Sequence, residues 1–116
     1  MKNLILLIAS MYFMGCADHV TSTYSTYSAA KKNGLFERGW LPDVLPKSTT
    51  NIVAVNDLDN NTSAGNFTLE KTHLNKFLAH VEPTNLMNQY RFSDSDNTWL
   101  FIVNETGLVR YQLDKL

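Results

Sequence analysis

Hydrophobic positions divide the chain into an apolar N-terminal run, a polar stretch and a long region of alternating patterns. Residues 4–14 are almost wholly apolar, whereas residues 17–33 are rich in Ser, Thr and Tyr and have no periodicity. An apolar run of this length is too short to span a bilayer as a helix, which needs about 20 residues. The pattern predicts a signal segment over residues 1–15, a flexible tether over residues 16–33 and one small domain over residues 34–116.

The first half of the predicted domain contains two strands and a helix. Asn51–Asn56 is a β-branched run, and Asn66–Leu69 is predicted to return as a second strand after the turn-forming stretch DLDNNTSAG. From residue 71 the period becomes that of an amphipathic helix, which Pro83 would end. The apolar stripe of this helix comprises Leu74, Phe77, Leu78 and Val81.

Three alternating segments near the C-terminus predict three more strands. MNQYRFS has two aromatic residues on one side, NTWLFIVN is apolar on both faces and so predicts a central strand, and LVRYQL alternates apolar with polar residues. Asn104–Gly107 suits a hairpin turn between the last two of these strands. The predicted fold is therefore α+β: a mainly antiparallel sheet of about five strands in the order β-β-α-β-β-β, with one helix packed on it, preceded by a signal helix and a flexible tether.

Two Leu-Pro steps interrupt the start of the domain. Pro42 and Pro46 fix their own φ and push the preceding leucines towards extended or turn conformations, which excludes a long helix. The large apolar side chains around them predict a segment, called the lid and defined here as Trp40–Pro46, that folds over one edge of the core. The lid and the neighbouring Asn51 are where a partner would most readily make contact, although the lid residues could equally serve only to close the core. The candidate binding residues are Trp40, Pro42, Leu45, Pro46 and Asn51.

The only cysteine, Cys16, lies where the apolar run meets the polar stretch. Gly15 precedes it, and the sequence FMGC resembles a bacterial lipobox. The resemblance implies that a diacylglyceryl group is attached to the Cys16 thiol, that a peptidase removes residues 1–15, and that the acyl chains anchor the mature protein to a membrane. A lone thiol also has no partner within the chain for a disulfide. The alternative is an ordinary signal peptide that happens to contain a cysteine.

The residue after Cys16 bears on the choice of membrane. It is Ala17 rather than Asp, and Asp at this position tends to hold enterobacterial lipoproteins in the inner membrane. The lipoprotein resemblance therefore implies the outer membrane, with the domain facing the periplasm.

Charge and candidate chemistry exclude several classes of function. The formal net charge is −1 and the longest basic run is Lys31–Lys32, so the sequence offers no electrostatic footprint for nucleic acid. DLDNN begins like a calcium loop, but Thr62 occupies the position of the turn glycine, so the stretch is interpreted as a turn. His73 and His80 would be about 10 Å apart along a helix, too far to share one metal. We expect no catalytic residues, no cofactor and no metal site.

The lid and the stretch after it resemble a known family. GWLPDVLPKSTTNI followed by LDNN resembles the small bacterial lipoproteins with a YbbD-like head domain. The resemblance implies an envelope lipoprotein and adds no reaction. The matching positions are Gly39, Trp40, Pro42, Leu45, Pro46, Ser48, Asn51, Ile52, Asp59 and Asn61.

The sequence thus favours a lipid-anchored bacterial envelope protein of non-catalytic binding or structural type, with the membrane and an envelope protein as partners. The alternative is a periplasmic inhibitor or immunity protein against a secreted hydrolase or toxin, since a tether raises the local concentration of a small binding domain. An enzyme is a third hypothesis, for which the residues give little support.

Overall fold

The computed structural model describes residues 19–115, and one seven-stranded sheet forms its centre. Every pair of neighbouring strands is antiparallel, and the strand order is β1-β2-β3-β7-β6-β5-β4. The strands are β1 His19–Thr26, β2 Thr50–Asp57, β3 Thr62–Thr68, β4 Glu82–Pro83, β5 Gln89–Ser93, β6 Asn97–Val103 and β7 Leu108–Lys115.

Short helices connect these strands. Helix α1 spans Tyr27–Lys32 and follows β1 directly, and the Thr26 hydroxyl caps it by accepting the Ala29 N–H at 3.1 Å. A 3₁₀ turn at Lys71–His73 leads into helix α2, Leu74–Leu78. Both helices lie on the same side of the sheet as the buried core.

The interpretation of residues 17–33 as a flexible tether is wrong for most of that range. Residues 19–26 form an edge strand whose partner is β2, with Tyr24 opposite Ile52, and α1 follows. An edge strand gains its backbone hydrogen bonds from one neighbour and needs no continuous apolar face, and in β1 only Ser22 and Tyr24 are half-buried. The folded region therefore extends to His19, well before residue 34.

The sheet is larger than predicted and the second helix is shorter. The segments predicted as strands are confirmed, with β3 starting four residues earlier, but β1 and the two-residue β4 bring the total to seven. The predicted helix is reduced to one 3₁₀ turn and five α-helical residues. Its end tightens because the Val81 N–H bonds to the Leu78 carbonyl at 3.3 Å, a 3₁₀-type spacing that closes a helix. Pro83 lies in β4.

The core occupies one face of the sheet. Phe67, Phe77 and Phe101 are fully buried, and their rings meet edge to face with centroids 5.2–6.2 Å apart. Side chains of α1, α2 and the segment between α1 and β2 cover this face. Residues of alternate parity along the same strands point to the opposite face, which no described helix covers.

Residues 1–15 and Cys16 lie outside the described residues. Within residues 19–115, no helix combines the length and the apolar character needed to cross a membrane.

Candidate binding surface

The lid closes one side of the core. Leu41 is fully buried, Pro42 is buried and Leu45 is 6% exposed. Thr49 ends the segment by donating its backbone N–H and its hydroxyl to the Pro46 carbonyl, at 3.0 and 2.6 Å. Two of the candidate binding residues, Pro42 and Leu45, are therefore part of the core and offer little surface to a partner.

Trp40 is attached to the core through its backbone. Its carbonyl accepts the indole N–H of Trp99 at 3.1 Å, and its half-buried side chain packs against the core cluster. Trp99 is 1% exposed, so this bond satisfies a donor that water does not reach.

The accessible candidates are Pro46 and Asn51. Pro46 is half-buried, and Asn51 is exposed with φ of 51°. Asn51 lies where the pairing of β2 with β3 shifts register between Thr50 and Val53, so its left-handed backbone forms a β-bulge. Asn51 thus follows the lid by five residues and lies on the surface.

A cluster of three residues fastens α1 to the lid. The Tyr27 hydroxyl donates a hydrogen bond to one oxygen of Asp43, and the Lys31 ammonium lies 3.1 Å from the other. Burial and the Asp43 carboxylate raise the pKa of Tyr27 above its ordinary value. The same carboxylate raises the pKa of the exposed Lys31. This cluster joins two segments that the sequence left unconnected.

Ser48 and His73 form a second junction, between the residues directly after the lid and the 3₁₀ turn that precedes α2. The Ser48 Oγ and His73 Nδ1 atoms are 2.6 Å apart, and the Glu70 carboxylate lies 3.7 Å from the same nitrogen. In a Ser-His-acid relay, the serine and the acid contact opposite ring nitrogens. Because both groups face Nδ1 here, the arrangement lacks that geometry and acts as a structural link.

A buried polar chain crosses the core face of β2, β3 and β7. The Ser63 hydroxyl donates to the Asn56 side-chain oxygen at 2.7 Å and lies 2.7 Å from the Tyr111 hydroxyl. Because Ser63 has one proton to donate, the Tyr111 hydroxyl is the donor in the second bond. All three side chains are at most 4% exposed, and burial raises the pKa of Tyr111 to about 12.

The opposite face of the sheet presents apolar and polar side chains together, and we call it the open face. Ile102 is 48% exposed and Leu108 is 42% exposed. Arg110 neighbours both, since it pairs with Ile102 across the strands and lies two residues after Leu108 on β7. The half-buried Val55 and Leu100 continue the apolar part. The sequence predicted that β6 is central, which is confirmed, but no helix within residues 19–115 covers its second apolar side.

Two of the shallow cavities on the open face share Ile102 and Arg110 in their lining, and their volumes are about 300 and 360 Å³. The small side chain of Ala64, in register with Val55 and Gln112, helps to form the depression. Sequence reasoning did not identify Ile102, Leu108 and Arg110 as a site. The signal that could have indicated it was the presence of apolar residues on both faces of NTWLFIVN.

The histidines and carboxylates of the described chain do not gather into a metal centre. Within residues 19–115, no three side chains of His, Cys, Asp or Glu lie close enough together to hold a metal ion.

Comparison with known proteins gives a match to the part of the chain that contains the lid. The family model of the YbbD head domain matches residues 18–68. Residues 18–68 are therefore similar to the YbbD head domain. No curated protein and no solved structure matches the chain.

The bounds of the head domain match coincide with folded elements and include most of the residues predicted to be a tether. The match begins next to the first residue of β1 and ends at the last residue of β3, so β1, α1, the lid and the β2–β3 hairpin form one unit. The head domain contributes three strands of the sheet, and the following residues contribute four. The open face is therefore shared, with Val55 and Ala64 from the head domain and Ile102, Leu108 and Arg110 from the strands after it.

Proposed function

We propose that the protein is a lipid-anchored bacterial envelope protein that binds another protein through the open face of its sheet and does no catalysis. The lipobox-like sequence at Cys16 supports the anchor. The open face supports the binding role. The observation on which the binding role rests is the exposure of Ile102 and Leu108 beside Arg110, on a sheet face that none of the described helices covers.

The shape of the open face favours a protein partner. Small-molecule sites are concave and bury most of their ligand, whereas both cavities here are shallow and open onto a broad face. An apolar centre with an arginine and a polar surround is typical of protein interfaces. Arg91 and Gln112 supply further polar groups on this face.

The lid has a smaller part in this proposal. Its most apolar members close the core, so its contribution to a partner would come from Trp40, Pro46 and Asn51. Because the lid and the open face lie on opposite sides of the sheet, variants in each one test the two surfaces separately.

The test is capture of partners from a bacterial envelope extract by the lipidated protein. Ile102→Thr keeps a β-branched residue in the strand but removes apolar surface, and we expect it to reduce recovery of a specific partner. Val20→Thr is the matched control, since Val20 is also β-branched and is 43% exposed, on a strand at the far edge of the sheet. Trp40→Ala, checked for folding by circular dichroism, tests the lid.

The outcomes separate the hypotheses. Loss of the partner with Ile102→Thr but not with Val20→Thr supports the open face. Loss with Trp40→Ala alone would transfer the site to the lid, and equal recovery in all variants would remove both surfaces. A captured secreted hydrolase or toxin would favour the inhibitor or immunity function over a structural one. Outer-membrane location is tested by separating the inner and outer membranes and probing each for the protein.

A further inference from the structure

One end of the sheet lies very close in sequence to the proposed lipid. We call it the anchor end, and it comprises the start of β1, the β2–β3 turn, the β5–β6 turn and the end of β7. His19 pairs with Asp57, and Asp57 pairs with Thr62, which places the first two elements together. Ala64 in β3 pairs with Gln112 near the end of β7, and Thr98 pairs with both Ser93 and Asp114, which places the other two elements at the same end.

Only two residues, Ala17 and Asp18, separate Cys16 from β1. Consecutive Cα atoms are about 3.8 Å apart at most, so His19 lies within about 11 Å of the Cα of Cys16 whatever the path of the chain. A tether of the predicted length would have let the domain move freely above the bilayer. The two-residue connection keeps His19 within that distance of the anchor.

The β2–β3 turn presents an apolar side chain at this end. Leu58 is 55% exposed. The Asp57 carboxylate holds the turn in place by accepting the backbone N–H groups of Asp59 and Asn60 and the Asn60 side-chain amide, at 2.8–3.2 Å. The hydrogen bonds from Asn60 lower the pKa of Asp57. Leu58 is therefore held outward by an ordered turn.

The charge of the anchor end selects the type of membrane surface. Five carboxylates lie in its two turns and at the end of β7, and they outnumber the basic residues there, which are Lys115 and His19, the latter 3.5 Å from the Asp57 carboxylate. The carboxylates are Asp57, Asp59, Asp94, Asp96 and Asp114. Carboxylates are repelled by anionic lipids, with a strength that salt reduces. The cationic ammonium groups of zwitterionic headgroups attract carboxylates, and the membrane interface accommodates an exposed leucine side chain.

From the length of the connection, the position of Leu58 and this charge, we propose that the anchor end docks against a zwitterionic headgroup layer. The inference rests on the proposed lipid anchor. The domain then stands upright on the membrane. The Asn104–Gly107 hairpin, together with Ile102 and Leu108, lies at the other end of the strands, and the partner-binding part of the open face points away from the bilayer.

The experiment uses the lipidated protein, purified from bacterial membranes and reconstituted in phosphatidylcholine vesicles containing headgroup spin-labelled lipid. The acylated Cys16 has no free thiol, so Ser95→Cys or Glu105→Cys gives one labelling site. Both positions are exposed turn residues, at the anchor end and the opposite end, and Ser95→Cys leaves Leu58 in place. A fluorophore at position 95 is expected to be quenched several-fold more than one at position 105.

Two further arms make the result specific. A Gly/Ser insertion of about ten residues after Ala17 is expected to reduce the difference in quenching, because a longer flexible linker lowers the local concentration of the anchor end at the bilayer. Phosphatidylglycerol in the vesicles is expected to reduce quenching at position 95 at low salt, and added salt to restore it. Equal quenching at both positions, or a difference that phosphatidylglycerol leaves unchanged at low salt, would overturn the proposal.

Mass spectrometry of the same preparation distinguishes a failure of this orientation proposal from a failure of the proposed lipid anchor. An unmodified Cys16 would refute the lipid anchor itself. An acylated Cys16 with equal quenching at the two positions would leave the anchor standing and refute the orientation.

Discussion

The indole N–H of Trp99 donates to the backbone carbonyl of Trp40 at 3.1 Å, across 59 residues of sequence. The bond fastens the lid to the middle of the sheet. Because Trp99 is almost fully buried, the lid cannot leave the core without exposing a large aromatic side chain and an unpaired donor.

We expect Trp99→Phe to lower the free energy of unfolding by about 2–4 kcal/mol, since it leaves the Trp40 carbonyl unpaired and shrinks a core side chain. Urea denaturation followed by circular dichroism measures the loss. Trp40→Phe is the control, because it keeps the backbone carbonyl and changes only a half-buried side chain. A larger loss for Trp40→Phe than for Trp99→Phe would contradict this account.

Gly65 is required for steric reasons. A Cβ at this position would lie 1.9 Å from the Val53 carbonyl oxygen and 3.1 Å from the Tyr111 ring. We expect Gly65→Ala to destabilise the protein by about 3 kcal/mol or more, or to prevent folding, because the obstacle is backbone.

Gly39→Ala provides the comparison for Gly65. Gly39 has φ of +82°, and a Cβ added there would meet no atom within 4 Å, so the cost is conformational and about 1–2 kcal/mol. Thermal melts of both variants test the order, and equal losses would show that the contact with Val53 is relieved by movement of the strand.

The Asn56–Ser63–Tyr111 chain should couple its members. Ser63→Ala leaves the Asn56 oxygen and the Tyr111 hydroxyl unpaired in a buried site, and we expect a loss of about 2–3 kcal/mol. Tyr111→Phe removes only the terminal donor and should cost about 1 kcal/mol. In the double variant the losses should be less than additive, and strict additivity in denaturation experiments would argue against the chain.

The raised pKa of Tyr111, about 12 against a usual value of 10.0, makes stability depend on pH in the alkaline range. The unfolded chain loses this proton first, so the contribution is fully present below about pH 10 and is lost as pH rises towards 12. The loss over that window is of order 2–3 kcal/mol. Urea midpoints at the two ends of the window should fall further for the wild type than for Tyr111→Phe. Parallel curves would refute the assignment.

The Ser48–His73 link is expected to stabilise the lid. Ser48→Ala should cost about 1 kcal/mol, the usual worth of one hydrogen bond. Glu70→Gln should change the free energy of unfolding by less than about 0.5 kcal/mol, because Glu70 is exposed and lies 3.7 Å from the ring nitrogen. Chemical denaturation of both variants at neutral pH gives the comparison. A larger effect for Glu70→Gln would reverse the roles assigned to the two residues.

Alternation along the chain determined most of the sheet. In β6 and β7 every second residue is apolar and buried, from Trp99 to Val103 and from Val109 to Leu113, so the period of two was visible without any structure. The hairpin at Asn104–Gly107 was equally predictable, and Gly107 does adopt a positive φ of 101°. The resemblance to a YbbD-like head domain was also readable from the lid and the turn after it.

Tertiary structure decided what local pattern does not encode. Residues 19–26 include good strand formers but have no apolar period, and they became β1 because β2 supplies backbone partners at the edge of the sheet. The bonds of Trp99 to Trp40, of Ser48 to His73 and of Ser63 to Tyr111 join residues 25–59 positions apart. Sequence determines which residues seek burial or a hydrogen bond, whereas the partner that each one finds depends on how the strands are ordered in space.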